Sequence, residues 1–121
     1  MRILIVDDSP TFLHAAGDAM EGEGFEVEVA RNGAEGVKLA GRLKPDLIIM
    51  DIEMPIMTGI EAAKELRSDP DCANIPIIAM TSFSPESLGE DLKLFNNCLT
   101  KPFGFPELIP MVNDLIGKNP S

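Results

Sequence analysis

Basic residues are scarce in this chain: ten Lys and Arg stand against twenty Asp and Glu over 121 residues, a formal net charge of −10. Binding to a phosphate backbone depends on Lys and Arg displacing counterions, so direct contact with nucleic acid is not expected. Cysteine is equally thin. Cys72 and Cys98 have neither metal-ligand spacing nor an extracellular context, and they read as small hydrophobic side chains rather than a disulfide. Long apolar runs are missing as well. Ile3 to Val6 and Leu47 to Met50 fall far short of a membrane span, and the start lacks the length of a signal-peptide core. A cytoplasmic protein with no membrane insertion is therefore expected.

What is present is the composition of a globular protein, with 45% apolar and 25% charged residues. One domain is expected over residues 1–121, with a core from about 2 to 117. Apolar runs of strand length alternate five times with stretches of helical period, the pattern of a parallel sheet covered by helices. Strands are expected at Arg2 to Asp7, Phe25 to Ala30, Asp46 to Asp51, Ile75 to Met80 and Asn97 to Thr100. Helix starts are marked by Ser9 before Pro10, Ser84 before Pro85, and Thr58 with Glu61 as a capping box. Gly22, Gly24 and Gly41 stand where helices should end.

Strand composition also orders the sheet. FEVEVA alternates, as an edge strand does, and NCLT is short enough for the other edge; ILIV, LIIM and IPIIAM are continuously apolar, as strands buried on both faces are. Right-handed crossovers then favour a three-layer (βα)5 flavodoxin-like fold with strand order 2-1-3-4-5. Its switch point falls between the first and third strands, and ligands bind there at the carboxyl ends.

Those ends carry the chemistry. The first strand ends in Asp7 and Asp8 and the third in Asp51, so three carboxylates converge and repel one another unless protonated or paired with a cation. Hard oxygen ligands favour Mg²⁺, which takes one or two carboxylates and leaves a third free to attack phosphorus. Thr81 closes the fourth strand and Lys101 follows the fifth. A hydroxyl and an ammonium facing that crevice would stabilise charge developing in phosphoryl transfer. Singly, each residue has a plainer reading: an Asp pair as turn and cap chemistry, a Thr bonding locally, a Lys solvated in a loop. Their coincidence at four strand ends favours the chemical reading.

The stretches LIVDDSP, PDLIIMDIEMPIMTGIE, IPIIAMTS and LTKPF together closely resemble the receiver domain of two-component response regulators, from Arg2 to about Gly117. The resemblance implies that Asp51 is the phosphoacceptor and that Asp7 and Asp8, with Asp51 and the Glu53 carbonyl, hold Mg²⁺. It implies Thr81 as the switch hydroxyl, Lys101 as the phosphoryl-binding lysine, and Met54, Pro55 and Gly59 as the loop after the acceptor. It also implies a cis bond between Lys101 and Pro102. The donor would be the phosphohistidine of a sensor histidine kinase or phosphotransfer protein, followed by removal of the phosphoryl group by water. The protein would be a switch acting on an output partner, with phosphorylation-dependent dimerisation as one outlet, rather than a turnover enzyme. With the chain used up by this domain, no output module is expected, whether it stands alone or is a fragment of something longer.

Three departures stand out. Cys98 occupies a place where the family commonly carries Tyr or Phe, and the chain has no Tyr. The signal is then expected to leave through the loops after the third and fourth strands, with Phe83 and Phe95 as substitutes. The segment from Thr81 to Lys101 is about two residues short by this comparison, so the fourth helix or its following loop should be trimmed. Pro110 inside LIPMVNDLIG should delay or kink the fifth helix. Readings from other classes fit less well. A haloacid dehalogenase-type magnesium phosphatase needs a second Asp two positions after the first, where Ser9 stands, and room for a cap. A flavodoxin-like carrier would place Asp7 and Asp8 where a flavin phosphate needs donors. A receiver-like binding module independent of phosphorylation is permitted by Cys98.

Overall fold

The computed structural model describes residues 1–117; the last four residues of the stretch 1–121 read as one domain lie outside the described residues. Five parallel strands, β1 (Arg2–Val6), β2 (Glu26–Ala30), β3 (Leu47–Asp51), β4 (Ile77–Thr81) and β5 (Asn97–Thr100), form one sheet in the order β2-β1-β3-β4-β5. The expected order and the edge assignments of β2 and β5 hold, and strand limits agree within two residues. Pro76, which has no N–H to give a ladder, helps explain why β4 begins at Ile77.

Helices α1 (Pro10–Gly22) and α4 (Phe105–Ile116) share one apolar cluster of the sheet, with Ile3, Ile5, Leu47, Ile49, Ile78, Met80, Leu108 and Val112 at its centre. The other cluster, built on Leu4, Val6, Ile48, Met50, Ile77 and Ala79, is covered by α2 (Gly33–Leu43) and α3 (Gly59–Ser68). No helix among the described residues is long and apolar enough to cross a membrane.

The starts of α1 and α3 follow the expected caps. Ser9 Oγ accepts the Phe12 N–H, and Thr58 and Glu61 close a reciprocal capping box. Gly22 ends α1, with Gly24 at φ 92° beyond it. Gly41, expected to end a helix, lies inside α2; the stop is made by Lys44 at φ 46°, left-handed despite its side chain.

The fourth connection departs most from expectation. In place of an α-helix, Pro85–Leu94 forms a 3₁₀ segment broken at Gly89, whose φ of 56° lies outside any right-handed helix. None of its residues is fully buried, although Leu88 and Leu94 lie half-buried against the core. Gly89 divides the segment into the stretches 85–88 and 90–94, each too short to sustain an α-helix on its own. Its exit is fixed from outside. Arg67 at the end of α3 donates Nε to the Leu94 carbonyl at 3.0 Å, one terminal nitrogen to the carbonyls of Ala73 and Ile75, and the other to Asn96 Oδ1. Burial lowers the pKa of this guanidinium. Pro110 neither delays nor interrupts α4, which starts five residues earlier with Pro106 in its first turn.

Candidate functional site

Register places the site. Val6 lies opposite Met50 in the β1–β3 ladder and Thr81 opposite Thr100 in the β4–β5 ladder. The residues that follow or close these strands, Asp7, Asp8, Asp51, Thr81 and Lys101, therefore gather at one end of the sheet. The ladder continues through Asp7 N–H to the Ala30 carbonyl at 3.1 Å and Lys101 N–H to the Thr81 carbonyl at 2.7 Å. The Lys101–Pro102 bond is cis.

Asp7 does two jobs with its two oxygens. Oδ1 accepts the Ser9 N–H at 2.8 Å, the local turn chemistry its position favours. Oδ2 is buried with no hydrogen-bond partner and lies 3.7 Å from Lys101 Nζ. Asp51 is also buried: its Oδ2 pairs with Lys101 Nζ at 3.2 Å, and its Oδ1 accepts the Glu53 N–H at 3.3 Å. Carboxylate oxygens of Asp7, Asp8 and Asp51 all come within 4.8 Å of one another, with Asp8 exposed. Thr81 is fully buried, and its hydroxyl accepts the Phe83 N–H at 3.1 Å.

The electrostatics follow from this crowding. Burial, then the neighbouring Asp7 charge, pushes Asp51 up to about 6, against the pull of Lys101. Burial likewise raises Asp7, opposed by the Ser9 bond and Lys101. For Lys101 desolvation works downward, but the charges of Asp51 and Asp7 outweigh it and leave its pKa raised. One ammonium thus pairs with two buried carboxylates, more closely with Asp51 than with Asp7, while Asp8 stays exposed beside them. A buried carboxylate oxygen with no hydrogen-bond partner, beside two further carboxylates, fits a hard divalent cation, and among the described residues Asp7, Asp8 and Asp51 are placed to hold Mg²⁺.

The loop after Asp51 is held by Gly59, the first residue of α3. Its N–H donates to the Ile52 carbonyl at 3.0 Å, and a Cβ built on it would overlap the Asp51 carbonyl oxygen and lie 2.8 Å from Ile52 Cα. Both obstacles are backbone, so neither can swing aside. Gly59→Ala should destabilise the fold by about 3 kcal/mol in chemical denaturation, at the upper end of overpacking costs, because the backbone bearing Asp51 must move. A loss under about 0.5 kcal/mol, the range of neutral surface changes, would show that the loop yields freely.

Beside the site, Asp7, Ser9, Phe12, Lys101, Pro102 and Phe103 line a cavity of about 290 Å³. Phe12 meets Phe103 edge to face at 6.0 Å between ring centroids. The two rings expected to stand in for the missing aromatic differ in kind: Phe95 is buried in the core, whereas Phe83 is 61% exposed. Cys98 is half-buried with its thiol pKa raised by burial and by Glu53. Sequence reasoning missed the Glu53 side chain, whose Oε1 accepts the Ser82 N–H at 2.8 Å.

A doubly covered parallel sheet thus carries an acidic triad, a lysine and a buried hydroxyl at its carboxyl end. Residues 3–113 match the response regulator receiver domain family, and the chain belongs to it. It is 37% identical over 117 residues to protein PilH of Pseudomonas aeruginosa, covering 95% of this chain and 97% of PilH. Its fold is similar to the response regulator TrrA of Thermotoga maritima solved in complex with Mg²⁺ and BeF, with TM-score 0.85, 34% identity, and coverage of 94% of this chain and 97% of TrrA. It is also similar to the receiver domain of a sensor histidine kinase from Pseudomonas aeruginosa PAO1, solved with a magnesium ion coordinated in its active site cleft. There the TM-score is 0.87 at 30% identity, over 96% of this chain and 97% of that one.

Proposed function

We propose that this receiver is a cytoplasmic switch in which Asp51 takes a phosphoryl group from the phosphohistidine of a sensor histidine kinase or phosphotransfer protein. The observation that carries the reading is the 3.2 Å pair between Asp51 Oδ2 and Lys101 Nζ, set beside a buried Asp7 oxygen that has no hydrogen-bond partner. Mg²⁺, held by Asp7, Asp8, Asp51 and the Glu53 carbonyl, would supply charge neutralisation for the phosphoryl oxygens when bound.

The chain's own residues do the rest. With its pKa near 6, Asp51 is mostly ionised at neutral pH and able to attack. The P–N bond to the donor histidine breaks as the P–O bond to Asp51 forms, and attack of water later returns phosphate and the carboxylate. Lys101 lies where its ammonium can shift from the carboxylates to a phosphoryl oxygen. Thr81 can turn its hydroxyl proton to another, since at present its oxygen only accepts from Phe83. The aromatic-rimmed cavity by Lys101 suits a donor protein seated over the site. The output is a change in affinity for a partner protein or a second copy of the chain. Cys98, which cannot act as a ring, favours as a second reading a binding module indifferent to phosphorylation.

Intact mass after treatment with acetyl phosphate and Mg²⁺ separates the two readings. Lys101→Ala then tests the division of roles: its labelling rate should fall about 10²-fold, the usual loss for one electrostatic stabiliser. Mg²⁺ affinity should hold or rise, because a competing cation has been removed. Loss of Mg²⁺ binding with labelling intact would reverse the assigned roles.

A further inference from the structure

One side of β2 is unused. Among the described residues the strand pairs with β1 alone, and no strand lies beyond it in the sheet. The Glu26 N–H goes to the Met1 carbonyl and the Ala30 carbonyl takes the Asp7 N–H, so these residues bond inward. Alternation along a parallel strand therefore turns the N–H and C=O groups of Val27 and Val29 outward. Edge strands are commonly blunted by lysine, proline or a bulge. FEVEVA holds neither lysine nor proline, and its register runs unbroken from Arg2 opposite Glu26 to Val6 opposite Ala30.

The two faces of this edge differ in chemistry. Toward α1, Val27 and Val29 border a groove of about 330 Å³ whose rim carries Asp18 and Glu21 together with His14 and Arg31. Val29 is 43% exposed, and among the described residues no other large apolar side chain within a strand is left so open. The opposite face carries Glu26 and Glu28. Glu26 is answered across the ladder by Arg2 at 3.1 Å, but Glu28 lies opposite Leu4 and has no ion pair among the described residues.

From this edge we propose that β2 takes an extended segment of a partner protein as a sixth strand, one in which Lys or Arg alternates with β-branched or aromatic residues. Its backbone would bond the outward groups of Val27 and Val29, and its apolar side chains would enter the α1 groove beside them. Its cations would meet Glu26 and Glu28 on the other face. A second copy of this chain is a poor occupant, because its own β2 would set glutamate against glutamate between molecules of net charge −10. The inference does not depend on the phosphoacceptor reading, since neither Asp51 nor Lys101 takes part.

The probe is a synthetic peptide, blocked at both ends, in which lysine and valine alternate over the length of β2. Added to the ¹⁵N-labelled chain, it should shift the Val27 and Val29 amides and slow their exchange by ~10-fold or more, the protection of one new hydrogen bond each. Two further peptides are N-methylated on alternate residues, one on the lysines and one on the valines. One should bind and the other should not, because only one set of peptide N–H groups faces β2. Glu28→Lys should weaken binding of the lysine peptide by ~10-fold, a cross-strand attraction turned to repulsion, and should gain binding of the peptide with glutamate in place of lysine. Unmoved Val27 and Val29 amides at millimolar peptide overturn the proposal, as does equal binding of both methylated peptides, which would mean attraction by charge alone. Protection of those amides that grows with protein concentration in the absence of peptide would give the edge to a second copy and overturn it as well.

Discussion

Asp51→Asn should gain no mass on incubation with acetyl phosphate and Mg²⁺, whereas wild type should gain one phosphoryl unit. The expectation is complete loss rather than a slower rate, because the amide cannot form the acyl phosphate. Asp7 does not replace it. One of its oxygens is committed to the Ser9 N–H, and the other lies farther from Lys101, at 3.7 Å against 3.2 Å for Asp51. Asp8 is exposed and makes no ion pair with Lys101 within 4.0 Å. Of the three carboxylates, Asp51 alone combines burial, a short contact to the ammonium and a bond from its own loop. Equal labelling of the variant, located by peptide mapping at Asp7 or Asp8, would move the acceptor to β1 and dismantle the assignment.

How far these residues were legible in the chain depended on whether their geometry is local. The runs ILIV, LIIM and IIAM announce strands buried on both faces, and once the sheet order is known their carboxyl ends must adjoin; Asp7, Asp51, Thr81 and Lys101 could therefore be placed together without coordinates. Capping at Ser9 and Thr58 is equally local. The 3₁₀ segment was hidden because SPESLGEDLKL reads as an ordinary helix start, and its outcome is decided by Gly89 and by Arg67 reaching in from α3. Gly41 misled for the converse reason: a glycine inside α2 is carried by its neighbours, and Lys44 takes the left-handed position. The Glu53–Ser82 bond joins residues 29 apart in two loops, and no periodicity or spacing foretells it. Arg67 and Asn96 form a tertiary knot of the same kind.

In buffer containing a chelator, wild-type stability should fall as pH rises from about 4 to 7, and Asp51→Asn should largely remove that fall. The sign follows from proton linkage. The folded state lifts Asp51 from 3.8 to about 6, chiefly by burial and by the charge of Asp7. Below about pH 4 the carboxyl is protonated both folded and unfolded, and no penalty exists. Between these values the folded protein holds more protons than the unfolded chain, so stability declines with pH. Above about 6 both forms are ionised and the full cost remains. A shift of about two units corresponds to roughly 3 kcal/mol at neutral pH. Asn is nearly isosteric with Asp and carries no charge, so metal-free Asp51→Asn should be the more stable protein at pH 7 by an amount of that order. Asp7 is raised in the same direction and keeps Lys101 as its partner, so a smaller slope should persist in the variant. Millimolar Mg²⁺ should narrow or invert the difference, because a cation bound to the native carboxylates stabilises wild type by mass action. Urea denaturation of both proteins across pH 4 to 8, with and without Mg²⁺, reads all of this. If metal-free Asp51→Asn were the less stable at pH 7, the Lys101 pair would outweigh the repulsion, and the strained acidic cluster would be the wrong account of this site.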